Sequence, residues 1–401
     1  MFNLNEFIGK YVTKREESMF LKDIEENRDE LVHKIEGKTV LVIGGAGSIG
    51  SSFIKAILPF KPSTLVVVDT NENELAELTR DLRSTKGMYV PDDYITYPMD
   101  FASSVFEKMF RNRCGFDIVG NFSAHKHVRS EKDIFSVEAL MQNNVLHAKL
   151  LLDLLVEYPP EEYFCVSTDK AANPVNIMGA SKRIMEDVIF AYSDKFTVNT
   201  ARFANVAFSN GSLPLGFVKR LQKLQPISAP YDVKRYFVSP EESGQICMLA
   251  CMLGRNREIF FPRLEKEQMM TFDKIATAFI EENGFEVLEC ESDEDAIEKS
   301  ENLKKGSHQY PVHYAKSSTS GEKAFEEFYT CEEVVDFGRL KALGVVTEKA
   351  IPDKAKVDLL FDKLNNAFKT NSSKEEIVSI IKEYLPNFEH IETGKSLDGK
   401  M

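Results

Sequence analysis

Residues 39–58, TVLVIGGAGSIGSSFIKAIL, join an apolar run, a glycine-rich turn and a helix-forming segment. Thr39–Ile43 is apolar at successive positions, as in a strand buried on both faces. Gly44, Gly47 and Gly50 fit G-x-x-G-x-x-G, with Ser48 and Ile49 between the last two. Without Cβ atoms the turn is tight, and the helix-start N–H groups can hold a pyrophosphate. Asp69 closes the next apolar run about 20 residues on, where a carboxylate accepts from adenosine ribose hydroxyls. Its charge opposes a 2′-phosphate, which favours NAD; Asn71, Asn73 and Arg80 nearby keep NADP open.

Outward from this unit, short β-rich runs alternate with helical stretches. The runs are Thr64–Asp69, Tyr94–Tyr97, Phe116–Asn121, Tyr163–Ser167 and Thr197–Phe203. That order predicts an α/β fold, a Rossmann-like doubly wound parallel sheet. Asp100 and Phe101 follow the run Tyr94–Tyr97; Asp100 either meets the adenine amino group or caps the helix after it.

The sheet domain is expected over 38–204, with 236–257 packing back on it. A smaller substrate-binding lobe follows over 205–345. Residues 1–37 form a helical extension, with Phe2, Leu4, Phe7, Ile8 and Tyr11 at helical spacing. Residues 346–401 hold two helices and a polar tail, with Ser372 or Ser373 capping KEEIVSIIKEYL. The acidic stretch ECESDEDAIEKSENLKK (289–305) predicts a solvated surface segment.

The net charge of −13 argues against nucleic acid as a partner, although local cations still permit an anionic substrate. The six cysteines form no CxxC or Cys/His cluster, which predicts buried free thiols and a reducing compartment. The start MFNLNEFIGKYVTKREE lacks a signal pattern, and no apolar run approaches ~20 residues. A cytoplasmic protein that does not engage a membrane is expected. His125 and His127 flank Lys126 without accompanying carboxylates or thiols, so no metal site is expected.

FCVSTDKAANPVNIMGASKRIMEDVIF (164–190) carries the chemistry. A strand ends at Ser167, a polar loop follows, and a helix carries Lys182. Carboxyl ends of strands in such sheets line the ligand crevice, so Thr168, Asp169 and Lys170 are well placed. An adjacent Asp and Lys suit a proton donor and a base, the lysine pKa being lowered by partial burial.

STDKAANPVNIMGASK, GGAGSIG, NFSAHKHV, RFANVAFSNGS, KRYFVSPEES and SGEK occur in the order and approximate spacing of one family. From about residue 38 to about 330 the chain resembles the sugar-nucleotide 4,6-dehydratases. These belong to the capsule and flagellin-glycan branch of extended short-chain dehydrogenases. The resemblance implies that Gly44, Gly47 and Gly50 hold the cofactor diphosphate and Asp69 its adenosine ribose. Ser123 and Ala124 pass beside the cofactor, and Lys126 lies near sugar or phosphate. Asn144 braces the strand behind the site, and Lys182 binds the nicotinamide ribose. Ser167 and Thr168 contact the sugar near its C4 hydroxyl. Asp169 protonates the departing C6 hydroxyl, and Lys170 removes the C5 proton. Asn205 and Arg235 hold the substrate diphosphate, and Glu322 the nucleoside ribose. The implied product is a 4-keto-6-deoxy sugar nucleotide for surface glycan or nonulosonic-acid synthesis. UDP-N-acetylglucosamine is the first-choice substrate and GDP-N-acetylglucosamine the second. Relatives pair the helices Phe135–Tyr158 and Asn176–Tyr192 in a bundle, implying a homodimer or larger homo-oligomer.

Two departures stand out. Met178 occupies the Tyr position of Tyr-x-x-x-Lys, and a thioether accepts no proton; the branch that retains C5 configuration shares this Met. Thr319 replaces an Arg that relatives often carry before Gly-Glu-Lys, which leaves more of the diphosphate charge to Arg235 or a neighbouring cation. The alternatives are a sugar-nucleotide epimerase on the same scaffold and a non-catalytic dinucleotide-sensing protein.

Overall fold

The computed structural model describes residues 2–127, 131–304, 306–317, 326–370 and 372–391. Its main sheet is built from β1 (Thr39–Ile43), β2 (Thr64–Asp69), β3 (Asp93–Pro98), β4 (Ile118–Asn121) and β5 (Glu162–Val166). It continues through β6 (Thr197–Ala201), β7 (Glu258–Pro262), β8 (Val334–Asp336) and β9 (Leu343–Thr347). The spatial order is β8-β9-β7-β6-β5-β4-β1-β2-β3. β3 through β7 are parallel, and β9 and β8 add an antiparallel edge.

The doubly wound prediction is therefore met. Val40, Leu41, Val42 and Ile43, like Leu65–Val68, are buried because helices cover both faces of the sheet. The strand order reverses between β1 and β4, which pair from Val40↔Ile118 to Ile43↔Asn121. Connections leaving their carboxyl ends depart to opposite faces and open a crevice there. Helix α1 (Ser48–Ile57) leaves β1, and α2 (Ile177–Phe190) follows the polar loop after β5. Helix α3 (Pro240–Leu253) packs closely on α1: a Cβ on Gly244 would lie 2.1 Å from the Ser52 carbonyl oxygen.

A second apolar cluster includes Phe208, Phe217, Ile227, Phe279, Tyr310 and Val312. Around it stands a three-stranded parallel sheet of Ile227–Pro230, Gln309–Ala315 and Glu286–Cys290, with Gln309–Ala315 central. In the acidic stretch, Asp293–Ser300 is a helix that buries Ala296.

The N-terminal segment joins both clusters. Phe7, Ile8 and Val12 enter the smaller core, whereas Phe20, Leu31 and Ile35 enter the larger one. Between them the Arg15 guanidinium grips Glu242 of α3 through two hydrogen bonds of 2.7 Å. The C-terminal helices are Lys354–Lys369 and Lys374–Tyr384; Ser373, not Ser372, caps the second. Their Val357, Leu360, Leu364, Ile377 and Ile381 are buried in the main core. Only Arg183 and Asp187 of α2 escape burial.

No helix among the described residues is long and apolar enough to cross a membrane. Four cysteines are buried free thiols, but Cys114 and Cys331 are exposed, against the expectation for all six. Both stand in turns at element ends, where a short polar neighbourhood gives no apolar face to bury them.

Candidate active site

Gly44 adopts φ +70°, a left-handed conformation that costs any side chain. A Cβ there would also stand 2.5 Å from the Ser123 N, so the glycine turn lies directly against the segment leaving β4. Gly50 is equally constrained, its Cβ position being 2.4 Å from the Gly44 carbonyl oxygen. Gly47 is the N-cap of α1, and no side chain caps the first turn of Ser48, Ile49 and Gly50. The Ser48 hydroxyl instead accepts from the Asn210 N–H at 2.8 Å.

Asp69 faces this turn, accepting from the N–H groups of Ala46 (3.1 Å) and Asn71 (3.0 Å). A glycine cradle, a helix start without a side-chain cap and a fixed carboxylate fit a dinucleotide. Asp100 is exposed and accepts from the Ala102 N–H; Ser103, not Asp100, caps the following helix. Ser103 has the right reach to the Phe106 N–H, one turn ahead. Phe101 is buried, edge-on to His147.

Asn144 fixes the segment after β4. It accepts from the His125 N–H, donates to the His125 carbonyl and donates to Ser181 on α2, all within 3.0 Å. Ser123 and Ala124 are half-buried there, and Lys126 is exposed. Lys182 is buried, donating to the Val166 carbonyl at 3.0 Å, and burial pushes its pKa down.

Beyond β5, Thr168 caps a single 3-10 turn, Asp169–Ala171. Its hydroxyl donates to Asp169 Oδ1 at 2.7 Å. Lys170 Nζ meets both Asp169 oxygens, at 3.1 and 3.2 Å. The turn is held from behind by α2, where a Cβ on Gly179 would lie 2.6 Å from the Lys170 carbonyl oxygen. Met178 is buried in the first turn of α2, and its N–H donates to Glu131. The Ser167 hydroxyl donates to Glu186 at 2.6 Å, which leaves it to accept, not donate, toward a ligand. Arg202, fully buried, bridges Glu186 and Glu333 and fixes that arrangement.

The lysine departs from expectation. Burial favours neutral Lys170, but the charges of Asp169 and Glu326 outweigh it and raise the pKa. Glu326 was not anticipated. Its carboxyl accepts from the Asn205 amide and from the Tyr236 N–H (2.8 Å), and lies 3.9 Å from Arg235 Nε. Asn205 and Arg235 are thereby brought to the Asp169–Lys170 pair. Glu322 and Thr319 lie outside the described residues. The available signal was proximity: Glu326 follows the SGEK segment that had directed attention to Glu322.

A family model described as polysaccharide biosynthesis protein matches residues 40–341. The chain belongs to that family. Among its polysaccharide-biosynthesis relatives, the probable biosynthesis protein EpsC of Bacillus subtilis is 30% identical over 62% of this chain and 41% of its own. A UDP-N-acetylglucosamine 4,6-dehydratase (inverting) of Campylobacter jejuni is 26% identical over 57% of this chain and 67% of its own. A Methanocaldococcus jannaschii protein described as an uncharacterized membrane protein is 27% identical over 86% of this chain and 96% of its own. The match to EpsC thus spans less than half of that relative's length. The Streptomyces venezuelae dTDP-glucose 4,6-dehydratase DesIV, solved with NAD, has the same fold. Its TM-score is 0.53 at 20% identity, over 72% of this chain and 88% of that one. The family is therefore that of polysaccharide biosynthesis proteins, and the fold is the one shared with DesIV.

Proposed function

We propose that this protein is a nucleoside-diphosphate-N-acetylhexosamine 4,6-dehydratase, with UDP-N-acetylglucosamine as first-choice substrate and the GDP sugar as second. The observation that carries the reading is the hydrogen-bonded Thr168–Asp169–Lys170 turn at the carboxyl end of β5. It stands one strand from the crevice between β1 and β4. The Campylobacter relative's described activity supports the same reaction class.

The Gly44–Gly50 turn and Asp69 would hold NAD, preferred over NADP because the Asp69 carboxylate repels a 2′-phosphate. Asp100, Phe101, Ser123, Ala124 and Lys182 complete that site in this reading. When bound, the dinucleotide supplies hydride acceptance from C4 and hydride return to C6. Ser167 accepts from the sugar, and Lys126, Asn205, Arg235 and Glu322 serve its diphosphate and nucleoside.

The residues then manage protons. Met178 offers no base, so Thr168 relays the C4 hydroxyl proton to Asp169. Neutral Asp169 no longer stabilises the Lys170 ammonium, and burial drives Lys170 to release its proton to water. Neutral Lys170 takes the C5 proton, made acidic by the C4 ketone. Protonated Asp169 gives its proton to the C6 oxygen, which departs as water. Lys170 later returns that proton to C5 and regains its own from water, which restores the ion pair with Asp169. A homodimer or larger homo-oligomer belongs to this proposal, supported by exposed apolar side chains at Phe135 (73%) and Leu150 (55%).

Incubation with UDP- and GDP-N-acetylglucosamine, followed by mass spectrometry, tests the reaction class. The expected product is lighter than substrate by one water. An unchanged mass with altered stereochemistry would indicate an epimerase, and no change at all a dinucleotide-binding protein without turnover.

A further inference from the structure

The Glu326 carboxyl occupies the same two groups that the proposed function gives to the substrate diphosphate. One oxygen accepts from the Asn205 amide and sits near Arg235; the other accepts from the Tyr236 N–H. The side chain is buried, so little water screens it. Asp169 and Lys170 face it from the turn after β5, and Arg235 and Tyr236 from the lobe. Glu265 and Glu267 stand beyond Tyr236.

A diphosphate arriving at Asn205 and Arg235 brings negative charge against this carboxylate. Two anions cannot share one amide and one guanidinium in a dry site without a steep cost. The carboxyl has a simple way out, because a protonated Glu326 is uncharged and still accepts from Tyr236. We propose that Glu326 and the substrate diphosphate compete for Asn205 and Arg235, so that binding of the nucleotide loads a proton onto Glu326. The inference rests on the diphosphate subsite of the proposed function and adds to it a linkage between affinity and pH. Burial, aided by Asp169, already pushes Glu326 up to about 8, while Lys170, the Tyr236 N–H and Arg235 oppose the shift. Glu326 thus holds its proton well below about pH 8, and binding takes one up at and above that pH.

The test uses the full chain and UDP-hexanolamine, a diester whose phosphates do not titrate between about pH 6 and 9. Wild-type affinity should be flat below about pH 8 and fall toward about tenfold per pH unit above it. Glu326→Gln, which keeps an acceptor for Tyr236, should remove that slope. Calorimetry of the wild type in buffers of different ionisation enthalpy should report uptake of about half a proton at pH 8. This arm does not depend on the variant folding. Equal slopes in both proteins, or no proton uptake in the wild type, would overturn the linkage while leaving the subsite intact. Arg235→Ala separates the two ideas: if it binds as tightly as wild type, or wild type does not bind, the subsite reading fails and the linkage with it.

Discussion

Lys170 Nζ lies 3.1 and 3.2 Å from the two oxygens of Asp169, so the adjacent acid and base form a closed ion pair. Such a pair is inert until one member changes charge. In the proposed mechanism the C4 hydroxyl proton, relayed by Thr168, is that change.

Lys170→Ala removes the base without touching the glycine turn. Loss of a positioned general base costs roughly 10²–10⁴ in rate. Incubation in heavy water should give no solvent deuterium at C5, while fluorescence titration shows unaltered dinucleotide binding. Deuterium entering C5 at the wild-type rate would remove Lys170 from the role.

Gly44→Ala should impair cofactor binding and stability together. The φ of +70° and the Ser123 N at 2.5 Å from the added Cβ both oppose a side chain. A non-glycine residue in such a region costs about 1–3 kcal/mol before the clash with backbone is counted. Thermal melting with and without NAD measures both effects; an unchanged melting temperature in each condition contradicts the cradle geometry.

Arg202 supports the site from behind. Removing it as Arg202→Met takes the bidentate partner from buried Glu186 and Glu333, leaving Arg183 beside both and Lys349 beside Glu333, at about 3–5 kcal/mol by urea unfolding. Burial alone raises the Glu333 pKa, but hydrogen bonding and charge from Arg202, helped by the Thr330 N–H and Lys349, bring it down to about 2. A folded pKa below the unfolded one stabilises the protein above the unfolded value. That share, about 3 kcal/mol, should fade as pH falls from about 4.5 toward 2. Arg202→Met should lose most of this acid dependence, and identical pH–stability curves for both proteins would contradict the assignment.

The sheet was legible because Val40–Ile43 and Leu65–Val68 are apolar without alternation, and the turn because three glycines mark it. Boundaries shifted by a residue or two: Tyr163–Ser167 is Glu162–Val166, since pairing with β4 and β6 decides where a strand stops. The site was less legible. Burial of Lys170 suggests a lowered pKa, but the charge of Asp169, joined by that of Glu326, which reaches Asn205 across 121 positions, outweighs it. Arg202, Glu186 and Glu333 converge only through tertiary packing, and nothing in local pattern marks Arg202 as buried. The extensions were visible as amphipathic helices. That the first one divides between two cores was not, because helical periodicity identifies an apolar face without naming what covers it.

The most direct test follows one hydrogen. Substrate carrying deuterium at C4 should give a product with that deuterium at C6, without loss to solvent, as the hydride is held in the site between oxidation and reduction. Deuterium returned to C4, or washed out altogether, would contradict the dehydratase account.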